Sequence, residues 1–246
     1  MTDTIRIATD AISAEISPLG AELQLLRDEA GRDLLHDGDP AFWTGRAPIL
    51  FPIVGAVRDD RILVDGTFYP IAKHGFARRS RFTLVERAPA SATFRLTAND
   101  VTRAQYPFDF QLDLRFTVSD ASLEARATLA NPGDAPLPAS FGFHPAFRWP
   151  LPWGGARADH RLIFAQDETA PIRRIDAAGL LRPDRQPTPV AVNELALSDR
   201  LFDDDALIFD ALASRAVRFG VPGERTIDVA FPAMSLLGVW TKPGAP

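Results

Sequence analysis

Cysteine is missing from all 246 residues of the chain, and no long apolar run is present. Without cysteine the chain can form no disulfide, no thiolate nucleophile and no zinc–thiolate or iron–sulfur centre. The first ten residues lack the basic and apolar regions of a secretory signal, and no window approaches the roughly 20 apolar residues of a membrane span. We therefore expect a cytoplasmic protein with no membrane partner.

A basic face is also missing from the sequence. The formal net charge is −5, and acidic and basic residues alternate along the whole chain. Binding to a polyanion needs a stripe or patch of lysine and arginine, since phosphate neutralisation supplies most of the affinity. Nucleic acid is therefore not an expected partner.

Helical periodicity is scarce, whereas alternation of apolar and polar residues recurs throughout. Leu112, Leu114, Phe116 and Val118 alternate with polar residues, as in a strand with one buried face. The pattern predicts an all-β fold, a large antiparallel β-sandwich, formed by one domain of residues 1–246. The main predicted strands are 4–8, 14–17, 21–27, 62–64, 67–69, 81–86, 92–96, 111–118, 123–130, 162–165, 190–192, 206–209, 216–219, 227–231 and 235–240.

Several standard chemistries have no motif in the chain. There is no phosphate-binding glycine loop, dinucleotide fingerprint or nucleophile elbow. The four histidines show none of the close spacings of metal motifs, and the acidic triplet 203–205 is typical of a solvated turn. We therefore predict neither a metal nor a cofactor.

His144 is the first candidate for chemistry. It lies in the octapeptide 140–147, SFGFHPAF, among three phenylalanines and directly before a proline. Aromatic surroundings disfavour the charged imidazolium, and such a histidine can hold a proton for transfer near neutral pH. An ordinary core histidine, with its nitrogens bonded to backbone carbonyls, explains the octapeptide equally well.

A wider set of residues favours a sugar as the small-molecule partner. Two histidines in aromatic settings, His74 and His144, occur with a nearby arginine, several tryptophans and an aspartate that precedes a strand. Aromatic faces pack on the apolar faces of a pyranose while polar groups bond its hydroxyls. This combination indicates a site for a neutral polyol.

Successive segments of the chain resemble motifs of the aldose 1-epimerase (galactose mutarotase) family, in its LacX-like branch. The resemblance covers most of the chain in the family's order. It implies a β-supersandwich fold and a cofactor-free interconversion of the α and β anomers of an aldose. The segments are WTGRAPILFPIVG at 43–55, HGFAR at 74–78, FGFHPAF at 141–147, LFDDDALIF at 201–209 and LLGVWTKPGAP at 236–246.

The resemblance also implies roles for individual residues. His144 matches the general acid that protonates the ring oxygen, and His74 matches a second histidine that bonds sugar oxygens. Arg78 resembles an arginine that contacts the substrate or orders the site. Asp205 resembles an aspartate that holds sugar hydroxyls, although Asp204 could take that place. Taken alone, each of these residues could also be structural: His74 as a core histidine, and Arg78 and Asp205 as paired surface charges.

The sequence departs from the family pattern in two places. Ala56 follows Gly55 where the branch usually has an arginine, and Arg58 comes two positions later. The family's general base is a glutamate after the WTKPGAP-like segment, and Glu194 and Glu224 match no family motif. We therefore expect that the chain is incomplete at its C-terminus and that it lacks the general base.

Two other functions remain open at this point. A hexose 6-phosphate epimerase would need a cationic pocket, and Arg78, Arg79 and Arg81 would lie on alternating faces of a strand. A non-catalytic carbohydrate-binding or sensing protein would fit the absent glutamate. The sequence gives neither the identity of the aldose nor the oligomeric state.

Overall fold

The computed structural model describes residues 3–245. Met1, Thr2 and Pro246, which belong to the expected domain of residues 1–246, lie outside the described residues. The chain forms two compact units: one contains the residues up to Gly38 together with Thr44–Phe147, and the other contains Asp39–Trp43 together with the residues from Arg148 onward. Across the described part of the chain, no helix has both the length and the apolar character needed to cross a membrane.

The first unit is made of antiparallel sheets whose strands come mostly from neighbouring parts of the sequence. One sheet has the order β1-β2-β3 and another has the order β10-β9-β8-β7, while β5 pairs with β6 and β4 with β11. The strands are β1 (Ile5–Ala8), β2 (Ile12–Ser17), β3 (Glu22–Asp28), β4 (Ile49–Leu50), β5 (Arg61–Val64), β6 (Thr67–Pro70), β7 (Thr83–Ala88), β8 (Ser91–Thr97), β9 (Gln111–Ser119), β10 (Ser122–Ala130) and β11 (Gly142–Phe143).

The buried face of β9 supplies a large part of the core of this unit. Leu112, Leu114, Phe116 and Val118 are all buried, and the residues between them are turned outward. On β2 the same alternation of buried and half-buried residues occurs. This burial pattern confirms the predicted strands with one buried face. Removing such side chains from water is the main favourable term in folding.

The hairpin of β5 and β6 follows directly from local sequence. Asp65 and Gly66 form its two-residue turn with φ values of 47° and 80°. Such a turn needs both residues in the left-handed region, which glycine and aspartate tolerate better than most residues. The predicted Asp-Gly hairpin is therefore confirmed.

The second unit is also antiparallel. Its sheets have the orders β13-β12-β15-β16 and β14-β17. The predicted strand at 190–192 is wrong: this segment is irregular, with Val192 at a φ of 62°, and the pairing strand comes two residues later. The strands are β12 (Arg161–Phe164), β13 (Glu194–Ala196), β14 (Leu207–Phe209), β15 (Ala216–Gly220), β16 (Ile227–Ala230) and β17 (Leu237–Val239).

Helical structure is limited to single turns in residues 3–245. The α-helix α1 (Asp100–Arg103) is one turn long and is capped by the side chain of Asn99, which accepts hydrogen bonds from two backbone amides. Short 3-10 turns occur at Arg58–Asp60, Ala77–Arg79, Arg157–Asp159 and Asp199–Phe202. The expected all-β class is thus confirmed.

Candidate active site

His144 is positioned by a short strand pair. In the antiparallel pair of β4 and β11, Gly142 lies opposite Leu50. A side chain at Gly142 would meet this pair closely, since a Cβ atom would lie 3.2 Å from a methyl carbon of Val54 and 3.3 Å from one of Leu50. The backbone amide of Ser140 donates to the carbonyl of Pro52 at 2.8 Å. His144 therefore leaves β11 directly beside the FPIVG segment.

The HGFAR segment is fixed to the same place through one carbonyl group. The carbonyl of Phe51 accepts hydrogen bonds from the amides of Phe76 at 3.0 Å and Ala77 at 3.2 Å. Gly75 has a φ of +68°, and a Cβ atom there would lie 2.2 Å from the Phe51 oxygen. Only glycine fits this close approach, which explains the residue that follows His74.

His74 and Gly55 form a reciprocal pair. The amide of His74 donates to the carbonyl of Gly55 at 2.8 Å, and the amide of Gly55 donates to the ring nitrogen Nδ1 of His74 at 3.0 Å. Because Nδ1 accepts a hydrogen bond, the proton of the neutral ring is on Nε2. His74, whose φ is +67°, therefore presents Nε2 as a hydrogen-bond donor.

The two histidines of the predicted site lie next to each other. The ring centroids of His74 and His144 are 5.8 Å apart, with an angle of 59° between the ring planes. Burial lowers the pKa of His144 to about 4, assisted by the charges of Arg78 and Lys73. Burial also lowers the pKa of His74 to about 4. The charges of His144, Arg78 and Lys73 act in the same direction, with smaller effects.

Both rings are therefore neutral at pH 7. From the sequence we expected aromatic surroundings to disfavour the charged form of His144, and the direction of its pKa shift agrees. Two cations, Lys73 and Arg78, add to the effect of burial.

Arg78 lies in the 3-10 turn Ala77–Arg79, and β7 begins only at Thr83. The expectation that Arg78, Arg79 and Arg81 alternate along a strand is therefore wrong. Arg78 is half-buried, and its Nη2 donates to the carbonyl of Lys73 at 3.2 Å. Burial lowers its pKa, the charge of Arg79 lowers it further, and Glu22 has the opposite effect.

Asp204 and Asp205 belong to the second unit and have different surroundings. The carboxylate of Asp204 pairs with Arg182 at 3.1 Å. Asp205 has a φ of +60°, and its carboxylate accepts a hydrogen bond from the amide of Ala206 at 2.7 Å. Both side chains are exposed.

The backbone of this acidic turn is held by a buried arginine that sequence analysis missed. Arg174 is 9% exposed, and its Nη1 donates to the carbonyl oxygens of Leu201 at 2.9 Å and Asp205 at 2.7 Å. Arg174 lies in an irregular segment with no motif, so nothing in the local sequence separates it from a surface arginine. Lys73 was also missed, although its position directly before His74 could have drawn attention to it.

Comparison with known proteins shows similarity over most of the chain. The family model described as Aldose 1-epimerase matches residues 3–242. The chain is 33% identical over 222 residues to the chromosomal protein LacX of Lactococcus lactis subsp. lactis, a match that covers 87% of this chain and 74% of that protein.

Two solved structures have the same fold over nearly all of the chain. A galactose mutarotase related enzyme from Lactobacillus acidophilus has a TM-score of 0.91 at 28% identity, covering 98% of this chain and 81% of that one. A galactose mutarotase-like protein from Lactobacillus casei has a TM-score of 0.90 at 27% identity, covering 98% and 84%. The expected galactose mutarotase-like β-sandwich is thus confirmed, and the chain belongs to the aldose 1-epimerase family.

Proposed function

We propose that this chain interconverts the α and β anomers of a hexose by acid/base ring opening and reclosure. The observation that carries the proposal is the pair of histidines, His74 and His144, whose rings are 5.8 Å apart beside the strand pair β4–β11. Membership in the family supports the same reaction class. The residue roles below are parts of the proposal.

In this reaction His144 is the acid. The protonated imidazole transfers its proton to the ring oxygen of the sugar and becomes neutral as the bond between C1 and that oxygen breaks, while a base takes the proton of the C1 hydroxyl and the aldehyde forms. Rotation about C1–C2 and the reverse steps then give the other anomer. General acid–base catalysis of this kind contributes typically 10²–10⁴-fold in rate. The base is a carboxylate, which we assign to no residue of this chain.

The remaining residues bind the sugar. His74 donates the proton on its Nε2 to a sugar oxygen near the ring oxygen, since its Nδ1 is already bonded to Gly55. Arg78 contacts a hydroxyl group or orders the site, and Asp205 accepts hydrogen bonds from hydroxyl groups. No cofactor and no metal take part.

The test is polarimetry of freshly dissolved α-D-glucose and α-D-galactose with equal concentrations of parent, His144→Ala and His144→Gln. We expect acceleration above the spontaneous rate in the parent and loss of that acceleration in both variants. Glutamine keeps a hydrogen-bonding side chain but cannot titrate, so a rate retained in His144→Gln would overturn the role of acid. Thermal unfolding of all three proteins controls for folding.

A second candidate is a non-catalytic carbohydrate-binding or sensing protein. It is favoured by the neutral state of His144 at pH 7, because with a pKa of about 4 only about one molecule in 10³ carries the acidic proton. The expected result in that case is sugar binding that persists in His144→Ala, with no acceleration by the parent. A parent that binds no monosaccharide at millimolar concentration would overturn both candidates.

A further inference from the structure

The hairpin of β5 and β6 presents apolar side chains to solvent. All ten residues of the segment 61–70 are half-buried or exposed, and Leu63 and Phe68 are 61% and 55% exposed. These two residues lie opposite each other in the hairpin, so their side chains share one face. Arg61 lies on the same face, with its guanidinium 4.1 Å from the centroid of the Phe68 ring. Adjoining exposed apolar side chains on a two-stranded hairpin, which is marginally stable alone, indicate an interaction surface.

The outer edge of β5 is also open. Among residues 3–245, β5 pairs with no strand other than β6. At the base of the hairpin the amide of Ile71 donates to the carbonyl of Asp60 at 2.8 Å. Because hydrogen-bonded pairs alternate along an antiparallel ladder, Leu63 turns its N–H and C=O away from β6. Pro70, which has no N–H, lies opposite Arg61 and agrees with this alternation.

This edge is complementary to a second copy of itself. If two β5 strands run antiparallel about a two-fold axis at Leu63, each Leu63 faces its equivalent, and each Arg61 faces Asp65 of the other copy. The outward N–H and C=O groups of the two Leu63 residues then bond to each other. Arg61 and Asp65 are both exposed, and opposite charges directly across two strands are stabilising. The existing contact of Arg61 with Asp59, at 3.4 Å, joins two exposed groups and contributes little.

We propose that two copies of this chain associate through their β5 strands in this register. The product is a symmetric dimer with a four-stranded sheet in the order β6-β5-β5-β6. Two Leu63 and two Phe68 side chains form one apolar strip across this sheet, and an Arg61–Asp65 pair lies on each side of the axis. One short strand from each copy makes a small interface, so we expect a dissociation constant of about 10–100 μM.

The experiment is sedimentation velocity of the full chain from about 1 to 500 μM, a range that brackets this constant. We expect the mass of the parent to rise from that of a monomer to that of a dimer. Leu63→Lys places two ammonium groups at the axis and should weaken association at least about tenfold. A parent that stays monomeric over the whole range would overturn the proposal.

An exchange of charges tests the register. Arg61→Glu and Asp65→Lys each place like charges across the axis, so each alone should weaken association at least about tenfold. An equimolar mixture of the two variants should recover dimers, because every altered side chain then meets the opposite charge. Recovery requires folded hairpins, so it separates a lost contact from a lost fold.

Arg126→Glu is the matched control. Arg126 is also an exposed arginine beside a carboxylate, that of Glu124 at 2.8 Å, but it lies on the edge strand β10. This variant should associate like the parent. A dimer that persists in both Arg61→Glu and Asp65→Lys, a mixture that associates no better than either variant alone, or equal weakening by Arg126→Glu would overturn the β5 interface.

Discussion

Two histidine environments in this protein, one fully buried and one half-buried, differ in what their ring nitrogens contact. In the second unit His160 is fully buried, its Nε2 accepts from the amide of Leu151 at 3.0 Å, and its Nδ1 lies 3.0 Å from the carbonyl of Ala156. In the first unit His74 is bonded through Nδ1 alone, and its Nε2 has no hydrogen-bond partner within residues 3–245. A ring nitrogen left available for a ligand therefore distinguishes His74 of the proposed site from His160, whose two nitrogens both contact the backbone.

The two environments also differ in how the backbone is constrained. His74 has a left-handed φ of +67° and is followed by Gly75, whose φ is +68°. His160 has an extended backbone, with a φ of −69° and a ψ of 145°. Non-glycine residues with such positive φ values cluster at functional sites, since the surrounding structure must maintain them. Changes at and around these residues distinguish the two environments.

Gly75→Ala should give the largest loss of stability. The new Cβ would lie 2.2 Å from the Phe51 oxygen at a φ that alanine disfavours. Strain and displacement together should lower the free energy of unfolding by about 3 kcal/mol or more. Urea denaturation measures this, with Gly31→Ala as the control, because Gly31 has a similar φ of +75° but no atom within 4 Å of its Cβ. Equal losses in the two variants would show that the close contact is unimportant.

His160→Ala should destabilise the protein without impairing the proposed chemistry. The change leaves the buried amide of Leu151 and the carbonyl of Ala156 without this partner and creates a cavity, so we expect a loss of about 2–4 kcal/mol. Urea denaturation gives the stability, and polarimetry below the unfolding transition gives the rate per folded molecule. A rate that falls as far as in His144→Ala would contradict a purely structural role.

Acidification should weaken the fold through His144. Its folded-state pKa of about 4 lies below the usual 6.5, so the unfolded chain binds more protons between these values. Stability is therefore fully present above pH 6.5 and is lost as the pH falls towards 4, by about 3 kcal/mol for this residue. The measurement compares unfolding free energies of parent and His144→Gln at pH 7.5 and 4.5. An unchanged difference between the two proteins would contradict the low pKa.

The smallest effect is expected at the acidic turn. Asp205→Asn should raise the KM for a hexose about tenfold if its carboxylate accepts sugar hydroxyls, since hydrogen bonds to charged groups are worth about 1.5–3 kcal/mol. Asp204→Asn should change it less than about threefold, because Asp204 is exposed and paired with Arg182. The reverse order would assign the sugar contact to Asp204.

Sequence was most informative where local chemistry decides the structure. The alternation of β9 and the Asp65–Gly66 hairpin depend on neighbouring residues, and both were predicted correctly. The strand at 190–192 was predicted wrongly because three apolar residues do not specify which residues pair. Contacts between segments far apart in sequence, such as the bond from Gly55 to His74, leave no periodic signal.

The candidate site shows the same division. His144 became a candidate through its aromatic octapeptide, and His74 and Arg78 became candidates through the order of the motifs; their roles stay predictions. The contribution of Lys73 and Arg78 to the low pKa of both histidines was not predictable, because it depends on where these two residues lie in space. Arg174 was missed because its role is to bind carbonyl oxygens about 30 residues away in the chain.

The hydrogen bond from Gly55 to His74 makes the Gly55 amide a probe of hydrogen exchange. While the ring is neutral, Nδ1 accepts this amide proton and protects it from solvent deuterium. When the ring takes up a second proton, Nδ1 becomes a donor and the acceptor is lost. The protection factor of one glycine amide therefore reports the protonation of His74, and it should fall as the pH approaches 4.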